Sequence, residues 1–134
     1  GKASVVMSDL ESADLIVIAG QNPGTNHPRM LTHLELAKER GAKILTINPL
    51  REAGLTRFKN PQRPKGVIGP GTALSDLHLP IRVNGDLALF QAIGSLLVEW
   101  DALDHEFIER HTTGFELWRK HLGTLDWDAV LAST

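Results

Sequence analysis

The 134-residue chain contains no cysteine. Disulfide bonds, cysteine-ligated zinc and cysteine-ligated iron–sulfur clusters are therefore excluded within this segment. No apolar run approaches the roughly 20 residues of a membrane-spanning helix, and no signal-peptide pattern stands at the start of the sequence. We therefore expect a protein without a membrane span and with a cytoplasmic location.

The chain also lacks an excess of charge of either sign. Its net charge of −2 gives no support for nucleic-acid binding, which needs a basic surface. Hydrophobic residues make up 42% of the sequence, which is enough for a packed core. Because the sequence starts at Gly1 and enters an α/β pattern almost at once, we interpret residues 1–134 as a single domain of a longer protein.

Motifs that carry catalysis or bind metals are missing as well. The six histidines include no i, i+4 pair, which argues against a helical metal site. Ser95 lacks the G-x-S-x-G turn that presents a hydrolase nucleophile. With no acid–base constellation in view, we predict a segment that binds a ligand but has no catalytic residue and no metal ligand of its own.

The clearest positive signal is a strand–helix–strand pattern. The run DLIVIA at 14–19 is short and apolar, which is typical of a parallel strand buried on both faces. A loop, a helix and Gly41 follow it, and KILTI at 43–47 predicts the second strand. With a third strand near 77–81 and a helical C-terminal part, the pattern predicts an α/β, Rossmann-like three-layer fold with a mostly parallel sheet.

Two further stretches lead to expectations about burial and order. Residues 50–76 show no sustained periodicity and are interpreted as a long surface excursion. The helix that starts near Asp86 is apolar almost all round, so we expect it to be deeply buried. Asn84, Thr113 and Thr124 are the predicted N-caps of three of the helical segments that follow.

Three loops that follow the strands are candidate ligand sites. GQNPGTNHPRM, Gly20–Met30, lies where open α/β sheets bind ligands, and the start of its helix suits a pyrophosphate. INPLRE, Ile47–Glu52, ends the second strand beside it. RVNGDLAL contains Asp86, whose carboxylate could accept the N1 and 2-amino hydrogens of guanine.

Each of these loops also has an ordinary structural explanation. Glycine, asparagine and proline dominate turns, and Asn-Gly-Asp is good helix-capping chemistry. The G-x-G-x-x-G fingerprint is not met because Pro23 interrupts GQNPGT, and Asn48 stands where an acidic residue would hold a ribose. The sequence therefore argues against binding of NAD or ATP through their usual motifs. The residues alone leave open whether any nucleotide binds.

Taken together, ADLIVIAGQNPGTNHPRM, GAKILTINPLREAGLTRFKNPQ and DLHLPIRVNGDLALFQAI resemble the molybdopterin oxidoreductases of the dimethyl sulfoxide reductase superfamily. The resemblance is strongest to formate-dehydrogenase-like alpha subunits and, with the tail FIERHTTGFE, covers nearly the whole chain. It implies a multidomain enzyme that holds molybdenum in a bis(molybdopterin guanine dinucleotide) cofactor. A 4Fe–4S cluster, often present in the family, would lie outside these residues.

The resemblance implies that residues 1–134 hold the guanosine and pyrophosphate end of one dinucleotide. By position, the implied contacts are Gly20, Asn22, Pro23 and Thr25 in the first loop, Ile47, Asn48, Pro49 and Leu50 in the second, and Ile81, Gly85 and Asp86 in the third. Many members have Asp-Pro-Arg where this chain has Asn48-Pro49-Leu50, so the acidic and arginine contacts do not carry over there.

The implied partners are the other domains of the same chain and a small-molecule substrate such as formate, with catalysis by the full-length enzyme and not by this domain alone. Two other classes stay open. One is the central nucleotide-binding domain of a thiamine-diphosphate enzyme, which has similar strands. The other is a non-enzymatic interaction module whose loops only cap helices.

Overall fold

The computed structural model describes residues 5–134, except for the side chain of Lys65. The chain divides into two compact units, one that ends at Pro80 and one from Ile81 to Thr134. The sheet lies in the first unit, and the second unit is helical. No helix in the described part of the chain is long and apolar enough to cross a membrane.

The first unit contains a parallel three-stranded sheet in the order β1-β2-β3, which confirms the predicted α/β class. The third strand stops before Pro80, which has no N–H group to extend the ladder. A 3₁₀ helix, Met7–Ser12, precedes the sheet. The elements that follow are β1 (Leu15–Ala19), α1 (Pro23–Asn26), α2 (Pro28–Glu39), β2 (Lys43–Ile47), α3 (Ala53–Thr56), α4 (Pro64–Ile68) and β3 (Leu77–Leu79).

The core of this unit lies between one face of the sheet and α2. Ile16 and Ile18 of β1 are buried there together with Leu34 of α2. Leu15 and Val17, which point to the other face, are 60% and 44% exposed. The prediction that this strand is buried on both faces is therefore wrong for the described residues, because successive side chains alternate between faces and only one face is covered.

Residues 50–76 are more ordered than the expected surface excursion. They contain α3 and α4, and Leu55 is buried in the core. Glu35 of α2 is itself buried and accepts hydrogen bonds from Asn60 Nδ2 at 2.8 Å and Thr72 Oγ1 at 2.9 Å. Hydrogen bonds to one carboxylate thus fix a segment that has no apolar periodicity, which is why the sequence pattern did not predict its order.

The second unit is helical, as predicted. Its elements are α5 (Asp86–Glu99), α6 (His105–His111), α7 (Phe115–Leu122) and α8 (Trp127–Ser133). The carboxylate of Asp104 caps α6 by accepting the N–H of Phe107 at 2.9 Å.

The three predicted N-caps of this unit are wrong by one or two residues. Asn84 adopts a φ of 73° and does not cap α5. Gly114, with a φ of 81°, takes the N-cap position of α7 in place of Thr113. Asp126 caps α8 in place of Thr124. At the starts of α5 and α7, Asn84 and Gly114 adopt a left-handed backbone conformation. The sequence pattern of N-cap residues does not predict such a conformation.

The expectation that α5 is deeply buried is also wrong for the described chain. Ala92 and Gly94 are its buried residues, whereas Leu87 is 71% and Phe90 44% exposed. At the buried face, a Cβ on Gly94 would lie 2.6 Å from Cζ2 of Trp118, so a glycine is needed for this contact. A helix with apolar residues on all sides can be buried on every side. Whether it is buried depends on the elements that pack against it.

Asp76, which directly precedes β3, forms hydrogen bonds with residues of β2 and α2. Its Oδ2 accepts the backbone N–H of Ile44 at 2.7 Å, and its Oδ1 accepts from Lys38 Nζ at 2.5 Å. The hydrogen bond from Lys38 lowers the pKa of Asp76 below its usual value, and the N–H of Ile44 adds to this effect against the opposing effect of burial.

We expect Asp76→Asn to lower the free energy of unfolding near pH 7 by about 1 kcal/mol or less, because the amide loses the charge that Lys38 faces. Since the pKa is lower in the folded state, the stabilisation is complete above the ordinary pKa of about 4 and disappears as the pH falls through the lowered pKa. Urea denaturation of both proteins along this pH range measures the effect. If the difference in free energy of unfolding between the wild type and Asp76→Asn stayed constant down to the lowest pH, the stabilising role of the Asp76 charge would be contradicted.

Candidate functional site

The carboxyl ends of β1 and β2 lie side by side. The two strands pair in parallel register from Leu15 and Lys43 to Ala19 and Ile47. The N–H of Gly20 donates to the carbonyl of Ile47 at 2.9 Å, which extends the ladder past β1. Gly20 has a φ of 63°, a left-handed conformation that glycine adopts without steric cost. The first two predicted loops therefore leave the sheet next to each other.

The helical turns that follow these strands, α1 and α3, touch through two glycines. A Cβ on Gly54 would lie 3.3 Å from Cα of Gly24, and a Cβ on Gly24 would lie 3.2 Å from Oδ1 of Asn22. Gly24 thus permits the close approach of the two backbones. Gly54 was not singled out in the sequence, where it is only a glycine within a short helix.

Asn22 has two structural contacts. Its Oδ1 accepts the N–H of Thr25 at 3.2 Å and so caps α1. Its Nδ2 donates to Oε2 of Glu52 at 2.5 Å. An asparagine amide carries two N–H donors, and the described residues use one of them. The side chain is therefore fixed in orientation and keeps one donor for a ligand.

Backbone N–H groups near the first loop are also partly engaged. Those of Thr25 and Asn26 donate to the carbonyl of Asn22, and that of His27 donates to the carbonyl of Pro23. Pro23 is buried and starts α1, and the hydroxyl-bearing Thr25 is exposed. A phosphate at this loop would therefore depend on side-chain donors, because the backbone N–H groups of Thr25, Asn26 and His27 already have acceptors.

The second loop is held by Asn48. Its Oδ1 accepts the N–H of Leu50 at 3.2 Å, as in an Asx turn, and its own N–H donates to the carbonyl of Leu79 at 3.2 Å. Its Nδ2 lies 3.5 Å from Oε1 of Glu52. Pro49 and Leu50 are exposed beyond this turn.

Glu52 is the residue that connects the two loops, and sequence reasoning assigned it no role. Its carboxylate accepts from Asn22 after β1 and faces Asn48 after β2. The only sequence signal was that Glu52 is the acidic residue of the quoted stretch INPLRE. Its partner Asn22 lies 30 residues away in the chain, so the contact depends on the parallel pairing of the strands.

The third predicted group, Ile81, Gly85 and Asp86, lies in the second unit. Ile81 is buried, and a Cβ on Gly85 would lie 2.6 Å from the carbonyl oxygen of Ser133. Gly85 is therefore required by packing against the end of α8. Asp86 is exposed in the first turn of α5, where a negative charge is favourable, and α5 has no side-chain cap hydrogen bond in the described structure.

Other sites in the described part of the chain are less suited to chemistry. No group of three or more histidine, aspartate or glutamate side chains there could hold a metal ion. A concavity of about 650 Å³ lies along the end of α2 and is lined by Glu39, Arg63, Gly66 and neighbouring residues. None of the predicted site residues lines it.

Comparison with known proteins decides the family. No protein-family model matches the chain. An uncharacterized oxidoreductase of Mycobacterium tuberculosis is 49% identical over 100% of this chain, which covers 18% of that protein. Formate dehydrogenase H of Escherichia coli is 28% identical over 90% of this chain, which covers 14% of that protein. The chain belongs to the dimethyl sulfoxide reductase superfamily of molybdopterin oxidoreductases.

A solved structure has a similar fold. Acetylene hydratase from Pelobacter acetylenicus matches 90% of the chain with a TM-score of 0.68 at 23% identity, and 14% of its own length is covered. The chain therefore spans less than a fifth of the length of these molybdopterin-superfamily relatives.

We expect Gly54→Val to force α1 and α3 apart, because side-chain atoms would enter the space now occupied by the backbone of Gly24. Overpacking of this kind costs about 1–3 kcal/mol. Urea denaturation reports the loss, and faster amide hydrogen exchange in residues 22–26 and 52–56 locates it.

Gly123→Val is the matched control. A Cβ at Gly123 would lie 3.5 Å from the carbonyl oxygen of Lys120, an ordinary contact, so we expect little change in either measurement. Equal effects of the two substitutions would show that the contact between Gly24 and Gly54 does not hold the loops together.

Proposed function

We propose that the chain is the domain of a molybdenum-dependent oxidoreductase that holds the guanosine and pyrophosphate end of one molybdopterin guanine dinucleotide. The observation that carries the proposal is the adjacency of Gly20–Thr25 and Ile47–Leu50 at the carboxyl ends of β1 and β2. Ligands of open parallel sheets bind at that edge. Membership of the molybdopterin superfamily supports the choice of ligand, and the length of the relatives supports a longer enzyme.

Each of the three loops, taken by itself, has donors or acceptors that suit one part of a guanine dinucleotide. The free N–H of Asn22 and the exposed hydroxyl of Thr25 are neutral donors that suit phosphate oxygens. The exposed carboxylate of Asp86 suits the N1–H and 2-amino hydrogens of guanine, whereas adenine presents an acceptor at N1. Asn48, held by its own turn, would contact the ribose or the base.

These residues bind and orient the cofactor and do not catalyse a step themselves. When bound, the molybdopterin group supplies two-electron transfer at molybdenum, with any 4Fe–4S cluster held by other parts of the enzyme. For the whole protein we propose a small-molecule substrate such as formate, because formate dehydrogenase H is among the relatives. We further propose that it works in the cytoplasm.

A non-enzymatic interaction module is the second candidate, and one observation favours it. Asn22 already caps α1 and Asn48 already closes its own turn, so both side chains have structural roles without a ligand. This alternative predicts that the protein holds no nucleotide and that Asn22→Ala and Asp86→Ala change its stability only, by about 1 kcal/mol each.

We expect Asp86→Ala to lower the guanine-nucleotide content of the full-length protein, because a charge-assisted hydrogen-bond pair to guanine is lost. The loss of such a contact weakens binding by about ten- to a hundredfold. The measurement is GMP released on acid hydrolysis, together with molybdenum, for each purified protein.

Asp128→Ala is the control for helix electrostatics, because Asp128 is also an exposed acidic residue in the first turn of a helix. It should leave the GMP content unchanged. A well-folded Asp86→Ala protein with full GMP content would rule out the role of Asp86 in reading guanine.

A further inference from the structure

Glu52 places a half-buried carboxylate between the two loops of the first unit. It is the N-cap residue of α3, yet its side chain makes no cap hydrogen bond to that helix in the described structure. It turns instead towards the preceding loops, where Oε2 accepts from Nδ2 of Asn22 at 2.5 Å and Oε1 lies 3.5 Å from Nδ2 of Asn48. The negative charge thus lies at the ligand-binding edge of the sheet.

The hydrogen-bonding capacity of this carboxylate is not used up. A carboxylate can accept about four hydrogen bonds. The contact with Asn22 is short, whereas that with Asn48 is at the limit of hydrogen-bond length. Both partners are neutral amides, and no ion pair to Glu52 is formed among the residues that the structure describes. Acceptor positions therefore remain on a carboxylate that forms no ion pair in the described part of the chain.

The chemistry of an acceptor-only group restricts what it can bind. A phosphate ester of a nucleotide has no hydrogen-bond donor at neutral pH, so it cannot donate a hydrogen bond to this carboxylate. A ribose brings hydroxyl donors without charge, and hydrogen bonds from such donors to a carboxylate are among the strong ones. In open α/β nucleotide-binding folds, an acidic side chain after the second strand accepts a hydrogen bond from the ribose 2′-hydroxyl.

We propose that Glu52 binds the ribose hydroxyls of the nucleotide and at the same time positions Asn22 and Asn48 beside it. Asn48 stands where the acidic residue of such folds is expected, and Glu52 brings a carboxylate to the amide of Asn48 from four residues further along. Glu52 thus takes the role of accepting a hydrogen bond from the ribose, which an acidic residue at position 48 has in such folds. This inference rests on the proposed function and adds a specificity for ribose over deoxyribose.

The test compares GDP with 2′-deoxy-GDP, by titration calorimetry on the cofactor-free full-length protein. We expect the wild type to bind GDP about ten- to a hundredfold more tightly than 2′-deoxy-GDP, as for one hydrogen bond to a charged group. In Glu52→Gln the preference should fall to a few-fold or less. A purely structural link between the loops predicts instead that both affinities fall together and that their ratio stays at the wild-type value.

The double variant Asn48→Asp, Glu52→Gln exchanges the carboxylate and the amide. The amide introduced at position 52 would then accept from Asn22 and donate to the carboxylate introduced at position 48. The link between the loops is kept in this way, while the charge returns to the end of the second strand. We expect the preference for GDP to recover in this variant, which also guards against misfolding of the single variant.

Three outcomes overturn the inference. The first is that the ratio of the affinities for GDP and 2′-deoxy-GDP is the same in Glu52→Gln as in the wild type. The second is that the wild type binds GDP and 2′-deoxy-GDP equally tightly. In both of these cases GDP still binds, so the proposed nucleotide site survives. The third is a folded wild type that binds neither nucleotide, in which case the proposed function itself fails and the inference fails with it.

Discussion

The parallel pairing of β1 with β2 is the constraint on which the candidate site depends. It fixes the register of the two strands and carries one hydrogen bond beyond them, from Gly20 to Ile47. Because parallel strands end at the same edge, the residues that follow them are neighbours whatever their distance in sequence. The contacts of Asn22 with Glu52 and of Gly24 with Gly54 are both consequences of that pairing.

The sequence was sufficient for the features that depend on local patterns. The two apolar runs predicted β1 and β2, and Gly41 marked the end of the helix between them, where it adopts a φ of 101°. The loop motifs were located at the strand ends for the same reason, since glycine, proline and asparagine interrupt apolar runs. The family followed from the combination of these motifs and not from any one of them.

Features that depend on tertiary contacts could not be predicted in this way. Glu52 has its short hydrogen bond with a residue 30 positions away, and no periodicity links the two. The order of residues 50–76 depends on the buried carboxylate of Glu35, which a sequence pattern would place on a solvated helix face. Burial of α5 was overestimated because composition indicates which residues tolerate burial, whereas the neighbours determine it.

The contact between Gly24 and Gly54 has a consequence for the nucleotide binding that we propose at these two loops. The two backbones are in direct contact, so neither loop can shift towards the other. A site that is fixed before its ligand arrives loses little conformational entropy on binding. In the proposed site the same rigidity would slow the release of the nucleotide. This arrangement is suited to a cofactor that is retained through many turnovers and not to a substrate that must exchange in each one.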